Sequence, residues 1–176
     1  MAAMSLTALF QPAGDAQQNA KAAASPPAVR ATDFSKVIPL LPEPPQGWTA
    51  DKPDGSTTDT EGFSITTAGR TYRQGTAEDV PTVSINITDT ASNKQFLDTA
   101  TAAWNATSEA TDGYTKAVTI DGNRGFEQFE KDARTGNLWV VVNGRYLVQV
   151  EITNLPPEEL QAWIKRVDLK KLAALK

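Results

Sequence analysis

The chain has 176 residues, of which 40% are hydrophobic and 22% charged, proportions that are ordinary for a soluble globular protein. Its net charge of −4 comes without a basic stripe, which argues against nucleic-acid binding because that function needs clustered Lys and Arg. The absence of cysteine and histidine excludes disulfides, zinc sites with the usual ligands, catalytic thiolates and imidazole bases. We therefore expect neither an enzyme nor a bound cofactor or metal.

Residues 1–35 are predicted to be a signal-like segment followed by a tether. Met1–Phe10 is a short apolar run, and small residues follow at Ala13, Gly14 and Ala16, as near the end of a secretory signal peptide. The alternative is an N-terminus with a few apolar residues and no targeting role. The run is too short to span a membrane, so no transmembrane segment is predicted. The expected location is periplasmic or otherwise exported.

Residues 11–32 are rich in Ala, Gln and Pro, and such a composition favours a flexible tether. The prolines of Pro39–Trp48 favour polyproline II structure. This segment is either a stiff entry to the domain, with Trp48 docking on the core, or a ligand for a proline-binding module. Residues 36–176 are expected to form a single domain.

Two strands are predicted next, over Phe63–Arg73 and Pro81–Thr90. In the second, apolar residues at 83, 85 and 87 alternate with polar ones, as in a strand with one buried face. A helix is then predicted over about residues 93–108. Ser92 and Gln95 form an S-x-x-Q capping box, and Phe96 and Trp104 fall at helical spacing as predicted core residues.

Two hairpins are predicted in the second half of the chain. Strands at about 115–120 and 125–132 flank Asp121-Gly122, and Asn143-Gly144 is the turn of the second hairpin. A two-residue loop there would place Val141 opposite Tyr146. One face would then be wholly apolar and form the core, with Trp139, Val141, Tyr146, Val148, Val150 and Ile152. The other face would carry Leu138, Val140, Leu147, Arg145, Gln149 and Glu151.

The last predicted element is a helix that begins at Pro156-Pro157. Leu160, Trp163, Ile164 and Val167 form a single apolar stripe on it. These elements together predict an α+β fold. It would have an antiparallel sheet of about five or six strands with a helix packed on each face, an α/β/α sandwich.

This layout is similar to the PsbP/DcrB-like fold, in which a Gly-Trp entry precedes strands, a helix, a V-x-I-x-G-x-x-G hairpin, a central hairpin and a C-terminal helix. The matching residues are Gly47–Trp48, Val118–Gly125, Asn143–Val148 and Asp168–Leu172. The chain also resembles a group of uncharacterised exported proteobacterial proteins that end in a "GRFLVxVE…LKxLAALK" pattern, over roughly residues 37–176. PsbP-like proteins are accessory subunits on the lumenal face of a membrane complex. Because the motifs are turn and core residues, the resemblance implies a fold and a non-enzymatic role without naming a partner or a site.

Three groups of polar residues are candidates for chemistry. The acidic segment Asp51–Gly62 is either a calcium site or a solvated loop, although its spacing matches no calcium loop. A carboxylate pair is conceivable among Glu127, Glu130, Asp132 and Glu151. Arg70, Arg73 and Arg145 are either an anion site or partners of those acids in cross-strand salt bridges.

The leading functional hypothesis is an exported binding or accessory module that docks on a membrane-associated protein complex. Its candidate interaction face comprises Arg70, Arg73, Arg145, Gln149 and Glu151. The second hypothesis is a periplasmic carrier of a small ligand, with a pocket between helix and sheet. The sequence leaves the oligomeric state open.

Overall fold

The computed structural model describes residues 29–77 and 79–175, so the predicted signal-like segment lies outside it. Over these residues the chain forms nine strands and four short α-helices. The helices are α1 (Phe34–Val37), α2 (Lys94–Ala100), α3 (Glu158–Ile164) and α4 (Leu169–Ala174), with a 3-10 helix over Ile38–Leu40. The strands are β1 (Thr49–Ala50), β2 (Asp54–Thr60), β3 (Phe63–Arg73), β4 (Thr82–Asp89), β5 (Ser108–Ala110), β6 (Gly113–Ile120), β7 (Asn123–Glu130), β8 (Thr135–Val142) and β9 (Tyr146–Thr153). None of the helices in this described part is long and apolar enough to cross a membrane.

All nine strands of the described chain join one antiparallel sheet in the order β1-β3-β4-β9-β8-β7-β6-β5, and β2 pairs with β3 on the same edge as β1. The prediction of five or six strands between two helices is therefore wrong. One strand missing from the predicted sheet is β2, because its sequence DGSTTDT has no apolar period that would indicate a strand. It pairs with β3 along its whole length, and a Thr57–Thr66 hydroxyl contact of 2.7 Å supports that pairing.

The two faces of the sheet differ in what covers them. The helix-covered face carries the fully buried Tyr72, Ile85, Val140 and Val148, and packs against α1, the 3-10 helix, α3 and α4. We call the opposite surface the open face. Its side chains come from Thr67, Thr71 and Arg73 of β3, Thr82, Ser84, Asn86 and Thr88 of β4, Leu147, Gln149 and Glu151 of β9, Asn137, Trp139 and Val141 of β8, and Phe126, Gln128 and Glu130 of β7. The predicted layer of helix on each face is therefore not found: α1, α3 and α4 lie on one face, and α2 lies only beside a corner of the other.

The β8–β9 hairpin has one more loop residue than predicted, so Val142 rather than Val141 lies opposite Tyr146. The N–H of Arg145 donates to Val142 O (3.1 Å), but its carbonyl turns away and accepts from the N–H and hydroxyl of Thr90 (3.1 and 2.8 Å). Arg145 is therefore an extra residue, as in a bulge. A shift of one residue exchanges the two faces of β8.

This exchange corrects the predicted composition of both faces. Leu138 and Val140 are fully buried under the helices, whereas Trp139 and Val141 lie half-buried on the open face. The prediction had placed each pair on the other side. Residues 146, 148, 150 and 152 of β9 are buried, as predicted.

The central helix is shorter than predicted, because α2 spans Lys94–Ala100 rather than residues 93–108. Asn93 is its N-cap and accepts from the N–H of Phe96 (3.1 Å), so the Ser92/Gln95 capping box does not form. The helix ends where Arg124 donates to the carbonyl of Thr101 (3.1 Å). Phe96 is exposed, contrary to prediction, while Trp104 is buried in the turns that follow α2.

The predicted C-terminal helix is divided in two at Asp168, whose carboxylate caps α4 by accepting from the N–H of Lys171 (2.9 Å). The predicted apolar stripe is confirmed, since Leu160, Trp163, Ile164 and Val167 are all buried. The proline-rich entry packs on the same side. Its Trp48 contacts Trp163 with ring centroids 4.9 Å apart, which confirms the predicted docking of Trp48 on the core.

Trp163 is the largest fully buried side chain of the described residues and contacts both Trp48 and Tyr72. We expect Trp163→Ala to lower the free energy of unfolding by about 3–5 kcal/mol, because it leaves a cavity that the neighbours fill only in part. Urea denaturation followed by circular dichroism measures the loss.

Phe96→Ala is the matched control, since Phe96 is 41% exposed. It should change the free energy of unfolding by less than about 1 kcal/mol. Equal losses for the two variants would contradict the assignment of Trp163 to the centre of the core.

Candidate functional site

The open face is a polar surface without a covering layer over β3, β4 and β9. Of the side chains that these strands direct to it, none is buried, and Asn86 and Glu151 are exposed. The pleat explains the pattern, since alternate residues of each strand point to opposite faces. Because the apolar residues of these strands, apart from Leu147, occupy the helix-covered face, mainly hydroxyl and amide groups remain on the open one.

Strand register arranges these groups in rows across the sheet. Asn86 lies opposite Gln149, which in turn lies opposite Trp139. The adjacent row contains Ser84, Glu151, Asn137 and Gln128. The two rows are linked where Gln149 Nε2 donates to Asn137 Oδ1 (2.9 Å).

An aromatic stack borders the polar rows. Trp139 lies beside Phe126, with centroids 6.4 Å apart and an interplanar angle of 30°. Phe126 lies beside Trp104 at 6.2 Å and 10°. Trp104 belongs to the turns after α2, so this stack fixes those turns on one corner of the open face.

The open face has few charges at its centre. On the described strands β4, β9 and β8, Glu151 is the one charged side chain that points to it. Arg73 lies at the edge on β3, and its guanidinium is 2.7 Å from the carboxylate of Asp51. Charge on this face therefore comes mainly from its margins.

The structure divides the five residues of the predicted interaction face. Gln149, Glu151 and Arg73 point to the open face. Arg70 lies on the helix-covered face, where it donates to the carbonyls of Pro42 and Asp51 (3.3 and 3.0 Å) and pairs with Glu43 (3.2 Å). The three arginines are paired with acids, but with Glu43, Asp51 and Asp89 rather than with the predicted set.

Arg145 forms an ion pair with the fully buried Asp89, with its Nε and Nη2 both 2.8 Å from the carboxylate oxygens. Asp89 also accepts from the N–H of Thr32 (2.7 Å) and of Ala91 (2.8 Å). Burial opposes the charged form of Asp89, but these hydrogen bonds outweigh it and hold its pKa below the ordinary value. The hydrogen bond to Asp89 raises the pKa of Arg145. Both groups are therefore charged at neutral pH.

The same ion pair fastens the N-terminal strap, residues 30–34, across the ends of several strands. Arg145 Nη2 donates to the carbonyl of Arg30 (2.9 Å). The N–H of Ala31 donates to Ser64 on β3 (2.7 Å), and that of Phe34 donates to Thr57 on β2 (3.0 Å). Thr32 is buried, so packing begins before residue 36, where the tether was predicted to end.

Two of the carboxylates considered as a pair, Glu127 and Glu151, do not converge. Glu127 is buried on the helix-covered face, accepts from Tyr114 (2.6 Å) and Gln161 (3.1 Å), and forms an ion pair with Lys116 (3.0 Å). Burial, and then the hydrogen bond to Glu127, raise the pKa of Tyr114. Glu151 lies on the other side of the sheet, so the two carboxylates cannot flank one bond of a substrate. Glu127 instead attaches α3 to β6 and β7.

The acidic segment is not a loop, because Asp54 and Asp59 belong to β2. Asp59 accepts a hydrogen bond from Ser64 across the hairpin. Within residues 29–77 and 79–175, no group of three acidic side chains is placed to hold a metal ion. Asp54 and Asp59 therefore lie on an exposed edge strand.

A cleft of about 420 Å³ lies between α2 and the sheet. Leu97, Thr101, Arg124 and Val141 are among its walls. This size is within the range of small-molecule sites. It is the feature that corresponds to the predicted pocket between helix and sheet.

Comparison of the chain with protein-family models, with curated proteins and with solved structures finds no match. No relative therefore indicates what the open face or the cleft between α2 and the sheet binds.

Sequence reasoning missed Asn86, Asn137 and Trp139 as members of the open face. Asn86 could have been found, because alternation along β4 already separates it from Val83, Ile85 and Ile87. Trp139 and Asn137 could not, because their face depends on the extra residue at Arg145. Asp89 gave no local signal, since its partners Arg145 and Thr32 are distant in the chain.

We expect Asp89→Asn to lower the free energy of unfolding at pH 7 by about 3 kcal/mol or more, because it leaves Arg145 without its counter-charge in a largely buried position. The effect should depend on pH. Since folding lowers the pKa of Asp89, its contribution is present above the unfolded value near 3.9 and is lost as pH falls through the folded value.

Denaturant titrations of the parent and of Asp89→Asn between pH 7 and pH 3 measure this contribution. The difference between the two proteins should be constant above about pH 5 and shrink below about pH 4. A difference that stays constant to pH 3 would mean that the carboxylate charge of Asp89 does not stabilise the fold.

Proposed function

We propose that this chain is a non-enzymatic binding module that docks on a protein of a membrane-associated complex through the open face. The observation that carries the proposal is the asymmetry of the sheet. All the described helices except α2 cover one face, and the open face is left with half-buried apolar side chains at Trp139, Val141 and Leu147 among neutral polar groups. Apart from the corner where Trp139 stacks with Phe126 and Trp104, this surface is not covered within the described part of the chain.

The open face is large enough for a stable protein contact. Five strands (β3, β4, β9, β8 and β7) at a spacing of about 4.8 Å and eight residues at about 3.3 Å give a surface of roughly 24 by 26 Å. This area is within the range of roughly 600–1,000 Å² that each partner contributes to a specific interface.

The composition of the open face also suits a protein partner. Its centre has an aromatic residue, Trp139, and a single charged residue, Glu151. Arg73 and Glu130 lie toward the margins. Depletion of charge at the centre, enrichment of aromatic residues and a polar rim are the features that distinguish protein interfaces from the rest of the surface.

Two sequence observations support an exported, accessory role. The signal-like start at Met1–Phe10 supports export, and the resemblance to PsbP/DcrB-like proteins supports a subunit without catalysis. The chain also offers no histidine or cysteine for catalysis.

A small-ligand carrier is the second candidate, favoured by the cleft between α2 and the sheet. Trp104 stands next to this cleft, since Arg124 in its wall lies 5.7 Å from the Trp104 ring. A ligand in the cleft should therefore change tryptophan fluorescence, and Trp104→Phe should remove that change.

We expect a photo-crosslinking amino acid in place of Asn86 to give a discrete adduct in cells, because Asn86 is exposed near the centre of the open face. Denaturing electrophoresis and mass spectrometry identify the adduct. Adding Glu151→Lys to the same chain should reduce its yield at least about tenfold, since a reversed charge at the centre of an interface disfavours association.

The same amino acid in place of Ala174, exposed on α4 beside the opposite face, is the matched control. It should give no such adduct. An identical adduct from both positions, or none from Asn86, would sink the assignment of the open face as the docking surface.

A further inference from the structure

Three large apolar side chains are exposed in the described part of the chain: Val29 (55%), Phe63 (46%) and Phe96 (41%). They come from three different segments, namely the start of the described chain, the first residue of β3 and the first turns of α2. None of the three belongs to the core, and Phe63, although it projects from β3 to the same side as the open face, lies beyond the rows of that face at the end of the strand. Single exposed apolar residues are normal, so their significance depends on whether they lie together.

All three lie at one end of the sheet, which we call the tether end. It is formed by the β2–β3 turn (residues 61–62), the β4–α2 connection (residues 90–93) and the β8–β9 turn (residues 143–145). Val29 and Phe63 line the same small clefts. Asn93 lines one of these clefts and also caps α2 at the N–H of Phe96. Segments far apart in sequence thus bring apolar groups to one end.

The chain that precedes the described residues also enters at the tether end. Val29 follows residues 1–28, which include the apolar run Met1–Phe10. The N-terminal strap holds this entry point in place, because Arg145 donates to the carbonyl of Arg30 and pairs with Asp89.

The charges at the tether end nearly cancel and do not select an anionic partner. Arg30 lies beside the acidic residues Asp59 and Glu61, and Lys94 is paired with Asp98 (2.8 Å). An end of this kind lacks the four to eight clustered cations that recognise anionic lipid. Attraction must therefore come from the apolar side chains.

The exposed apolar groups are too few for a protein interface but suit a lipid surface. A standard protein contact buries roughly 800 Å² on each partner, which three partly exposed side chains do not approach. Separate apolar side chains at the tips of turns can instead enter the boundary between headgroups and acyl chains, where Phe is favoured.

We propose that the tether end rests on the lipid surface, with Phe63, Phe96 and Val29 inserted at the headgroup–acyl boundary of a zwitterionic membrane. The inference rests on the proposed membrane-associated function, and it adds a second contact surface and its chemistry. The strap and the Asp89–Arg145 ion pair hold that surface in a fixed orientation relative to the open face.

The test is co-sedimentation of the full chain with phosphatidylcholine vesicles. The parent protein should sediment with them, and Phe63→Ser/Phe96→Ser should reduce the bound fraction about tenfold, because it removes most of the inserted apolar area. Phe63→Trp/Phe96→Trp should bind at least as well as the parent, since Trp favours the membrane interface. Gln95→Ser, an exposed change beside Phe96, is the matched control and should leave binding unchanged.

Every variant retains residues 1–28, so binding by that segment alone would leave the double Ser variant fully bound and would overturn the proposal. Absence of sedimentation by the parent protein would overturn it as well. Addition of phosphatidylserine should change binding less than about twofold, because the end lacks excess positive charge. Binding that appears only with phosphatidylserine would contradict apolar insertion.

This measurement contains no protein partner, whereas the adduct formed from Asn86 requires one. If the parent protein does not bind vesicles but the adduct from Asn86 still forms, the tether-end proposal alone is rejected. Vesicle binding without an adduct would reject the open-face proposal alone. A thermal unfolding scan of the double Ser variant, expected to match the parent because both positions are exposed, shows that the fold is intact.

Discussion

The buried ion pair between Asp89 and Arg145 is the constraint on which the rest of the structure depends. It holds the guanidinium against β4 while the carbonyl of the same residue accepts twice from Thr90. Arg145 therefore cannot remain in the β8–β9 ladder, and the register moves by one residue. That shift decides which side chains of β8 form the core. The same guanidinium also binds the strap, so one residue joins the register of the sheet to the position of the N-terminus.

The helix-covered face stabilises the fold, and the open face is the proposed recognition surface. The helix-covered face contains the aromatic cluster of Trp48, Tyr72 and Trp163, and burial raises the pKa of Tyr72 to about 12. Its polar atoms are satisfied within the monomer, as the two hydrogen bonds and the ion pair of Glu127 illustrate. The contacts that the open face makes within the monomer are hydrogen bonds such as that from Gln149 to Asn137, and the aromatic stack at one corner. Substitutions there can change binding while the core keeps the fold.

The sequence predicted those features that depend on neighbouring residues in the chain. Asn143-Gly144 correctly marked a hairpin, because both residues adopt the positive φ values that Asn and Gly tolerate. Its loop length depends on Thr90 and Asp89, which lie more than 50 residues away in the chain. The apolar stripe around Trp163 was predicted because it has the helical period. Strand β2 was missed because its order comes from pairing with β3, and its own sequence carries no period. The open face was recognised only through Gln149, Glu151 and Arg73, since the neighbouring positions depend on that register.

The geometry of a sheet relates the two proposed contact surfaces. Side chains of the open face project perpendicular to the sheet, whereas the tether end is formed by the turns at one end of the strands. A module that rests on lipid by its tether end therefore stands with its strands directed away from the membrane. The open face is then presented sideways, toward a neighbouring membrane protein rather than toward the bilayer or the solvent above it. The strap contributes to this arrangement, because a rigid entry point limits the directions in which the open face can turn. Both contacts can be made at once, and each raises the effective concentration of the other.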